Sequence, residues 1–311
     1  MDEFDFIRNI KNTHSLRLVG DDCAVLPKDD ETDLLVTADM LVEDVDFRLD
    51  WSDPHSLGHR ALAVSLSDIA AMGGKPTWAL LSLGIPERLW NSEFLDAFYE
   101  GWHKLARRFD VELAGGDISR IDGPLVIDST VGGVVPKGRA ILRSGASPGD
   151  AIYVTGPLGS SAAGLKLLET GRGDDPNYAK LIRKHLRPEP RLYLAGMLQA
   201  SGIPTAMIDV SDGLSSDLAH VCHASGTGAR IDLGSIPFEP EIADLADSPL
   251  DLELNGGEDF ELLFTADPKK NFGANFDGIF RIGEITGDAG IIELLSENGT
   301  EVLKPRGYRH F

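Results

Sequence analysis

Residues 56–83 read SLGHRALAVSLSDIAAMGGKPTWALLSL. From Ser56 to Met72, Leu57, Ala61, Val64 and Ile69 recur near a 3.6-residue period, the other faces are almost as apolar, and Gly73-Gly74 supplies a left-handed stop. The stretch therefore predicts a buried helix, and Trp78–Leu83 behind it predicts a strand. Outward from there the alternation continues. A strand is expected at Leu34–Asp39, an amphipathic helix at Ser92–Arg108, and strands at Val111–Ala114 and Leu125–Val135, the last interrupted by Gly132 and Gly133. Beyond residue 150, strands are expected at Ala151–Thr155, Ala206–Val210, Ala229–Leu233, Glu261–Thr265, Ile279–Ile285 and Ile291–Leu295, with helices at Ser161–Glu169, Arg191–Ala200 and Gly213–Ala224. Strands and helices mixed along the whole chain indicate an α/β protein of mixed type, not a bundle or a sandwich.

At 311 residues the chain exceeds the usual size of a single core, and the turn-rich RSGASPGD at Arg143–Asp150 is the natural boundary. The expected domains are 1–142 and 143–311. The 29 basic and 50 acidic residues leave a net charge of −21, which repels nucleic acid and anionic membranes. The chain contains no apolar run long enough to span a bilayer, and MDEFDFIRNI has no character of a targeting segment, so a cytoplasmic address is expected. Two cysteines, Cys23 and Cys222, are too few for a disulfide framework or a thiolate metal site.

The acids divide into 32 Asp and 18 Glu, a bias towards the poorer helix former and the commoner cap and metal ligand. Most belong to a hydrated surface. Five clusters instead place carboxylates at the ends of apolar strands or inside an apolar helix: GDDCAVL from Gly20, TADMLVEDVDF from Thr37, SLSDIAAMGG from Ser65, AGGDISR from Ala114 and DVSDG from Asp209. Capping or Asx turns explain any one of them alone, Asp21 and Asp212 in particular. Asp68 resists that reading, because a helix apolar on nearly every side leaves its carboxylate no route to water and a buried carboxylate needs a partner. If several converge, two carboxylates about 5 Å apart repel by ~3 kcal/mol at an effective dielectric near 20, so the cluster demands cations. All-oxygen ligands select Mg²⁺ first, and a poly-Asp Mg²⁺ site points to phosphoryl chemistry. The scattered His argue against zinc; His55 and His59 read as solvated or capping. GPLGSSAAG from Gly156 precedes a helix and is either a candidate anion site or the ordinary start of that helix, and Arg143 is a candidate phosphate clamp or else a surface residue. Neither GxxxxGK[ST] nor GxGxxG after a strand is present.

These segments, with HRALAVSLSDIAAMGGKPTWALLSLGIP, GRAILRSGASPGDAIYVTGPLG, DVSDGLSSDLAHV, GGEDFELLFT and GYRHF, resemble the thiamine-monophosphate kinase family of the aminoimidazole ribonucleotide synthetase-like superfamily along nearly the whole chain. The resemblance implies a two-domain fold whose N-terminal sheet pairs across a homodimer, with ATP and thiamine monophosphate as substrates and several Mg²⁺ ions as cofactors. It implies Mg²⁺ ligands at Asp22, Thr37, Ala38 (backbone), Asp39, Asp68, Asp117, Asp209 and Asp212. ATP contacts fall on Tyr99, Gly116, Asp117, Arg143 and Ser211, and substrate contacts on Asp46, Glu258 and Tyr308. Where the family commonly reads EGVHF, this chain reads EDVDF, so Asp44 stands for a glycine and Asp46 for a histidine. The acceptor phosphate, with a second pKa of about 6, is already ionised at neutral pH and needs no protein base. Direct in-line transfer without a phospho-enzyme is the expected mechanism. The alternatives are a non-catalytic ATP/Mg²⁺ sensor of the same fold or a kinase with a changed acceptor. The chain lacks the N-terminal reactive Cys-Lys pair of selenophosphate synthetase and the C-terminal Cys of the hydrogenase-maturation dehydratase.

Overall fold

The computed structural model describes residues 3–245, 248–270 and 276–308. Its first half runs α1 (Glu3–His14), β1 (Ala24–Pro27), β2 (Thr32–Val42), α2 (Pro54–Ala71), β3 (Lys75–Pro86), α3 (Ser92–Phe109), β4 (Glu112–Ile121) and β5 (Val126–Pro136). The five strands form one sheet in the order β1-β2-β5-β3-β4, antiparallel except for β3 and β4, which α3 connects as a parallel crossover. The second half contains β6 (Ala151–Val154), α4 (Ser160–Glu169), α5 (Ala179–Leu186), α6 (Leu192–Ser201), β7 (Ala206–Asp209), α7 (Leu214–Ser225), β8 (Gly228–Asp232) and α8 (Pro249–Asn255). It ends with β9 (Leu262–Ala266), β10 (Phe280–Thr286), β11 (Ile292–Ser296) and β12 (Gly299–Val302). Its seven-stranded mixed sheet runs β12-β11-β8-β10-β6-β9-β7, with only the β8–β11 pair parallel.

Helix α2 organises the first half. Asp53 caps it, accepting from Ser56 N at 3.0 Å, and Pro54 opens its first turn. It is apolar all round because both sheets use it: it packs on β2, β3 and β5 and also touches β7, α5 and α6. Leu66 and Ile69 accordingly share one core with Tyr153, Leu198, Met207 and Phe264 from the second half. On its remaining flank α3 crosses closely enough to require glycine on both helices. A Cβ on Gly58 would stand 1.9 Å from the Phe98 carbonyl oxygen, and one on Gly101 1.9 Å from that of His55.

Strand alternation gives the first sheet two unlike faces. Leu35, Thr37 and Asp39 turn towards α2, while Ala38 and Met40 turn to the opposite face, where Met40 is 60% and Leu80 37% exposed. Among the described residues no helix covers that second face. Gly132 and Gly133 do not interrupt β5 as the sequence suggested; Gly132 makes room for Trp78, whose ring would lie 2.1 Å from an added Cβ. Strand β4 runs to Ile121, well beyond the expected Ala114.

Candidate active site

Four of the five acidic clusters converge where β2, α2 and β7 meet the 20–23 turn. One carboxylate oxygen each from Asp22, Asp68 and Asp209 lies within 4.8 Å of the others. Asp39 joins them from β2, accepting from Ser65 Oγ at 2.6 Å, and Ser67 Oγ donates to Asp209 at 2.6 Å. Thr37 Oγ1 donates to Asp68. Serines at 65 and 67 and the aspartate at 68 thus give an otherwise apolar helix one polar end, and β2 supplies the facing row by its two-residue repeat.

The electrostatics are those of crowded, desolvated acids. Burial first, and then the charges of Asp39, Asp209 and Asp22, push the Asp68 carboxyl well above its usual range. Burial and the Asp22 charge raise Asp209 to about 7, while burial, aided by Asp128, raises Asp39 to about 6. Burial also raises Asp22, against the pull of Arg143, whose Nη2 donates to Asp22 Oδ1 at 2.5 Å. Arg143 is therefore neither a surface residue nor idle: its side chain is 23% exposed and neutralises one member of the cluster. Asp22 Oδ2 is buried without any hydrogen-bond partner. An orphaned carboxylate oxygen among all-oxygen neighbours is the donor set of a hard divalent cation, so the residues fit Mg²⁺. Asp21 serves the backbone, accepting from Arg143 N at 2.7 Å.

A second acidic group lies alongside. Asp212, Asp217 and His220 bring ligand atoms within 4.8 Å of one another, and Asp217 Oδ2 accepts from Gly213 N at 3.0 Å at the start of α7. Burial, then Asp212 and Asp209, raise the Asp217 carboxyl well above its ordinary value.

The fifth cluster stays apart. Asp117 pairs in register with Ser82, Ser82 with Asp128, and Asp128 with Met40. Asp117 therefore sits three strand spacings, roughly 14 Å, from β2 and on the uncovered face. Gly116 beside it adopts φ 152°, and a Cβ there would lie 1.8 Å from the Leu81 carbonyl oxygen. Ala38 also faces that side. Tyr99 lies on α3, edge-on to Phe98 at 5.7 Å, and lines neither of the cavities described in this chain.

A cleft of about 490 Å³ opens beside the cluster, with Asp39, Ser211 and Asp212 at one side and Asp46, Glu258 and Tyr308 in its wall. Trp51 and Phe260 give it aromatic surface, and Asp44 and Glu169 add carboxylates. Asp46 Oδ2 is turned back to accept from Val42 N at 2.7 Å, which closes the 42–47 turn. Asp44 occupies φ 70°, a left-handed conformation suited to the glycine it replaces and tolerated by Asp. Glu258 is also left-handed, at φ 65°.

Two expectations need correction. The start of α4 is not an open anion site, because Asp259 already occupies it, accepting from Gly159 N at 2.6 Å and Ser161 N at 2.9 Å. His59 is neither solvated nor capping α2; its Nε2 donates to the Pro188 carbonyl at 2.8 Å. Residues 309–311 of GYRHF lie outside the described residues; Tyr308 is described and half exposed at 49%. The sequence reading missed Arg60, a buried cation on α2 that donates to Glu258 and to the Asp46 carbonyl (2.9 Å). An arginine amid HRALAV was its only signal.

Residues 20–135 match the AIR synthase related protein N-terminal domain and residues 147–294 the corresponding C-terminal domain. The two halves thus have the two-domain AIR synthase-related architecture. Thiamine-monophosphate kinase of Escherichia coli O157:H7 is 39% identical, with 99% of this chain and 95% of the relative covered; that of Bacillus subtilis is 38% identical over the full length of both. The solved structure of AaThiL complexed with AMPPCP and TMP superposes with a TM-score of 0.91 at 33% identity, covering 100% of this chain and 97% of the other. The chain belongs to the thiamine-monophosphate kinase family.

Proposed function

We propose that the protein transfers the γ-phosphoryl group of ATP directly to the phosphate of thiamine monophosphate, yielding thiamine diphosphate and ADP. The observation that carries this reading is the buried convergence of Asp22, Asp39, Asp68 and Asp209, one oxygen of it orphaned, beside an acidic, aromatic cleft. Family membership supports the acceptor, and the relative bound to AMPPCP and TMP supports this pair of ligands.

The chain's own groups divide the task. Asp22, Asp39, Asp68 and Asp209, with Thr37, the Ala38 backbone and Asp212 nearby, would hold Mg²⁺. Bound there, Mg²⁺ would screen the charge of donor and acceptor and favour in-line approach. Arg143, at the rim of the cluster, would meet the donor phosphates, and Ser211 would contact the nucleotide. Trp51, Phe260 and Tyr308 would enclose the cationic thiazolium, with Asp46 and Glu258 supplying negative charge. The acceptor oxygen is already ionised at neutral pH, so no base is assigned. His185, the imidazole in the cleft wall, is kept neutral, since burial and then the Arg60 charge hold its pKa well below 6.5.

The chain is also proposed to act as a homodimer through the uncovered face of the first sheet. Exposed Met40 and Leu80 lie there, and so do Gly116 and Asp117, which such a pair would bring against the other copy. The domain division is placed at residues 142 and 143, within the stretch between the two family matches. A cytoplasmic address is part of the same proposal; among the described residues no helix is long and apolar enough to cross a membrane.

The test is incubation of the purified protein with ATP and Mg²⁺, with and without thiamine monophosphate, following ADP and thiamine diphosphate by chromatography. Equal amounts of both products, abolished by EDTA, are expected, with no label on the enzyme after γ-labelled ATP alone. ATP binding without thiamine diphosphate would overturn the reading in favour of a sensor or a changed acceptor, and a stable phospho-enzyme would overturn direct transfer.

A further inference from the structure

Arg60 is the buried cation of this fold that no role in the reaction absorbs. It lies in the second turn of α2 and is 2% exposed. Its Nη1 donates to the His185 carbonyl at 2.7 Å, and its Nη2 to the Asp46 carbonyl at 2.9 Å and to the Glu258 carboxylate. Those three acceptors come from three separate walls of the cleft: the 42–47 turn, the last turn of α5, and the loop before β9. Glu258 is the member that needs holding. It sits at φ 65°, where a non-glycine residue is strained, its other oxygen is 3.5 Å from His185 Nδ1, and that nitrogen is also 3.0 Å from Ser161 Oγ. A carboxylate with a neutral imidazole on one side and solvent on the other has no reason to keep one direction. A guanidinium that can bind three acceptors in a fixed plane supplies one.

We infer that Arg60 is a positioning residue for the acceptor: it acts through Glu258 and the Asp46 carbonyl to fix the wall that receives the thiamine moiety, and takes no part in ATP binding. This rests on the assignment of the cleft to thiamine monophosphate. Arg60 itself has no surface with which to touch substrate. Its effect must appear in KM for the acceptor, must depend on Glu258, and must leave the nucleotide side unchanged, since the Asp cluster lies two helical turns further along α2.

The experiment is steady-state kinetics with each substrate varied separately, on wild type, Arg60→Met, Arg60→Lys, Glu258→Gln and the Arg60→Met/Glu258→Gln double variant, each with a melting temperature measured in Mg²⁺. Arg60→Met is expected to raise KM for thiamine monophosphate at least tenfold while KM for ATP stays within twofold. Arg60→Lys, which keeps the charge but not the three-way geometry, should fall between Arg60→Met and wild type and serves alone if Arg60→Met does not fold. The double variant should be no worse than the more impaired single variant. Additive losses, or a parallel rise in both KM values, would reduce Arg60 to a scaffold residue and overturn the inference. Glu258→Gln with an unchanged KM for thiamine monophosphate would instead refute the assignment of the cleft, and the inference with it. If Glu258→Gln raises that KM and Arg60→Met does not, the cleft assignment stands and Arg60 has no positioning role.

Discussion

Raising the pH of the metal-free protein from 5 to 8 should weaken its fold, and Mg²⁺ should cancel the effect. Asp209 is 2% exposed, with a pKa of about 7 against an ordinary 3.8, and Asp39 is raised to about 6. An acid whose pKa is raised on folding binds its proton more tightly in the folded state. The stability this supplies is complete below about pH 4 and is lost as pH rises through the folded pKa. Between pH 5 and 8, at about 1.4 kcal/mol per pH unit, Asp209 loses roughly 3 kcal/mol and Asp39 roughly 1. A loss of about 4 kcal/mol corresponds to a fall on the order of 10 °C in melting temperature. Other buried groups titrate as well: burial raises Asp259 to about 6 and Asp217 well above its ordinary value, which adds to the fall, and the depressed His185 opposes it. None belongs to the Asp22–Asp39–Asp68–Asp209 cluster, and the part of the pH dependence that Mg²⁺ removes relative to EDTA reports the acids that bind it. Differential scanning fluorimetry across this range suffices. Parallel pH profiles with and without Mg²⁺, or an Asp209→Asn variant as pH-sensitive in EDTA as wild type, would refute the reasoning.

Asp68→Asn and Asp209→Asn should each lower kcat by orders of magnitude with the circular dichroism spectrum retained, and should melt no lower than wild type in EDTA because repulsion is removed; wild-type turnover in either would mean the metal cluster is misplaced. Gly101→Ala places a methyl group against the His55 carbonyl and should destabilise the fold by about 1–3 kcal/mol, read as a lower urea midpoint; an unchanged midpoint would contradict the α2–α3 crossing. Asp259→Ala strips two N–H groups at the start of α4 of their acceptor and should cost about 1–2 kcal/mol, with Asp259→Asn retaining most of it in the same measurement.

Much of the molecule was legible along the chain, for reasons that differ by element. Helix α2 announced itself because burial by both sheets left it no polar face, and its glycine stop fell where expected. Strand β4 beyond Ala114 was not legible, since Gly115, Gly116 and Asp117 form an exposed edge with no apolar alternation. Helices α1, α5 and α8 and the short strands β1 and β12 were likewise passed over; α5, AKLIRKHL, buries only Leu181, Ile182 and His185. Within the site, Asp68 was identifiable by itself because it interrupts an apolar helix, whereas Asp22, Asp39 and Asp209, each open to a capping or turn reading alone, stood out only as members of a set of acids at the ends of apolar runs. Apart from the Asp46 carbonyl on Arg60, the partners of Asp259, Arg60 and Glu261 lie roughly 70 to 200 residues away, and no local pattern encodes a contact of that separation. Asp117 illustrates a different limit: its motif is legible in the sequence, but the strand order that carries it to the uncovered face, three strands from β2, is not.

Helix α2 carries Arg60 near its start and Asp68 near its end, eight residues apart, or about 12 Å along the axis. That makes it a ruler. Inserting or deleting a single residue between these positions would turn one end about 100° against the other and change their spacing by 1.5 Å, so the acceptor wall and the cation cluster would no longer face the same space. Point substitutions can be absorbed there side chain by side chain, but a change of length cannot. Surface loops remote from the cleft carry no such constraint, whereas the spacing of Arg60 and Asp68 is fixed by the count of residues in one helix.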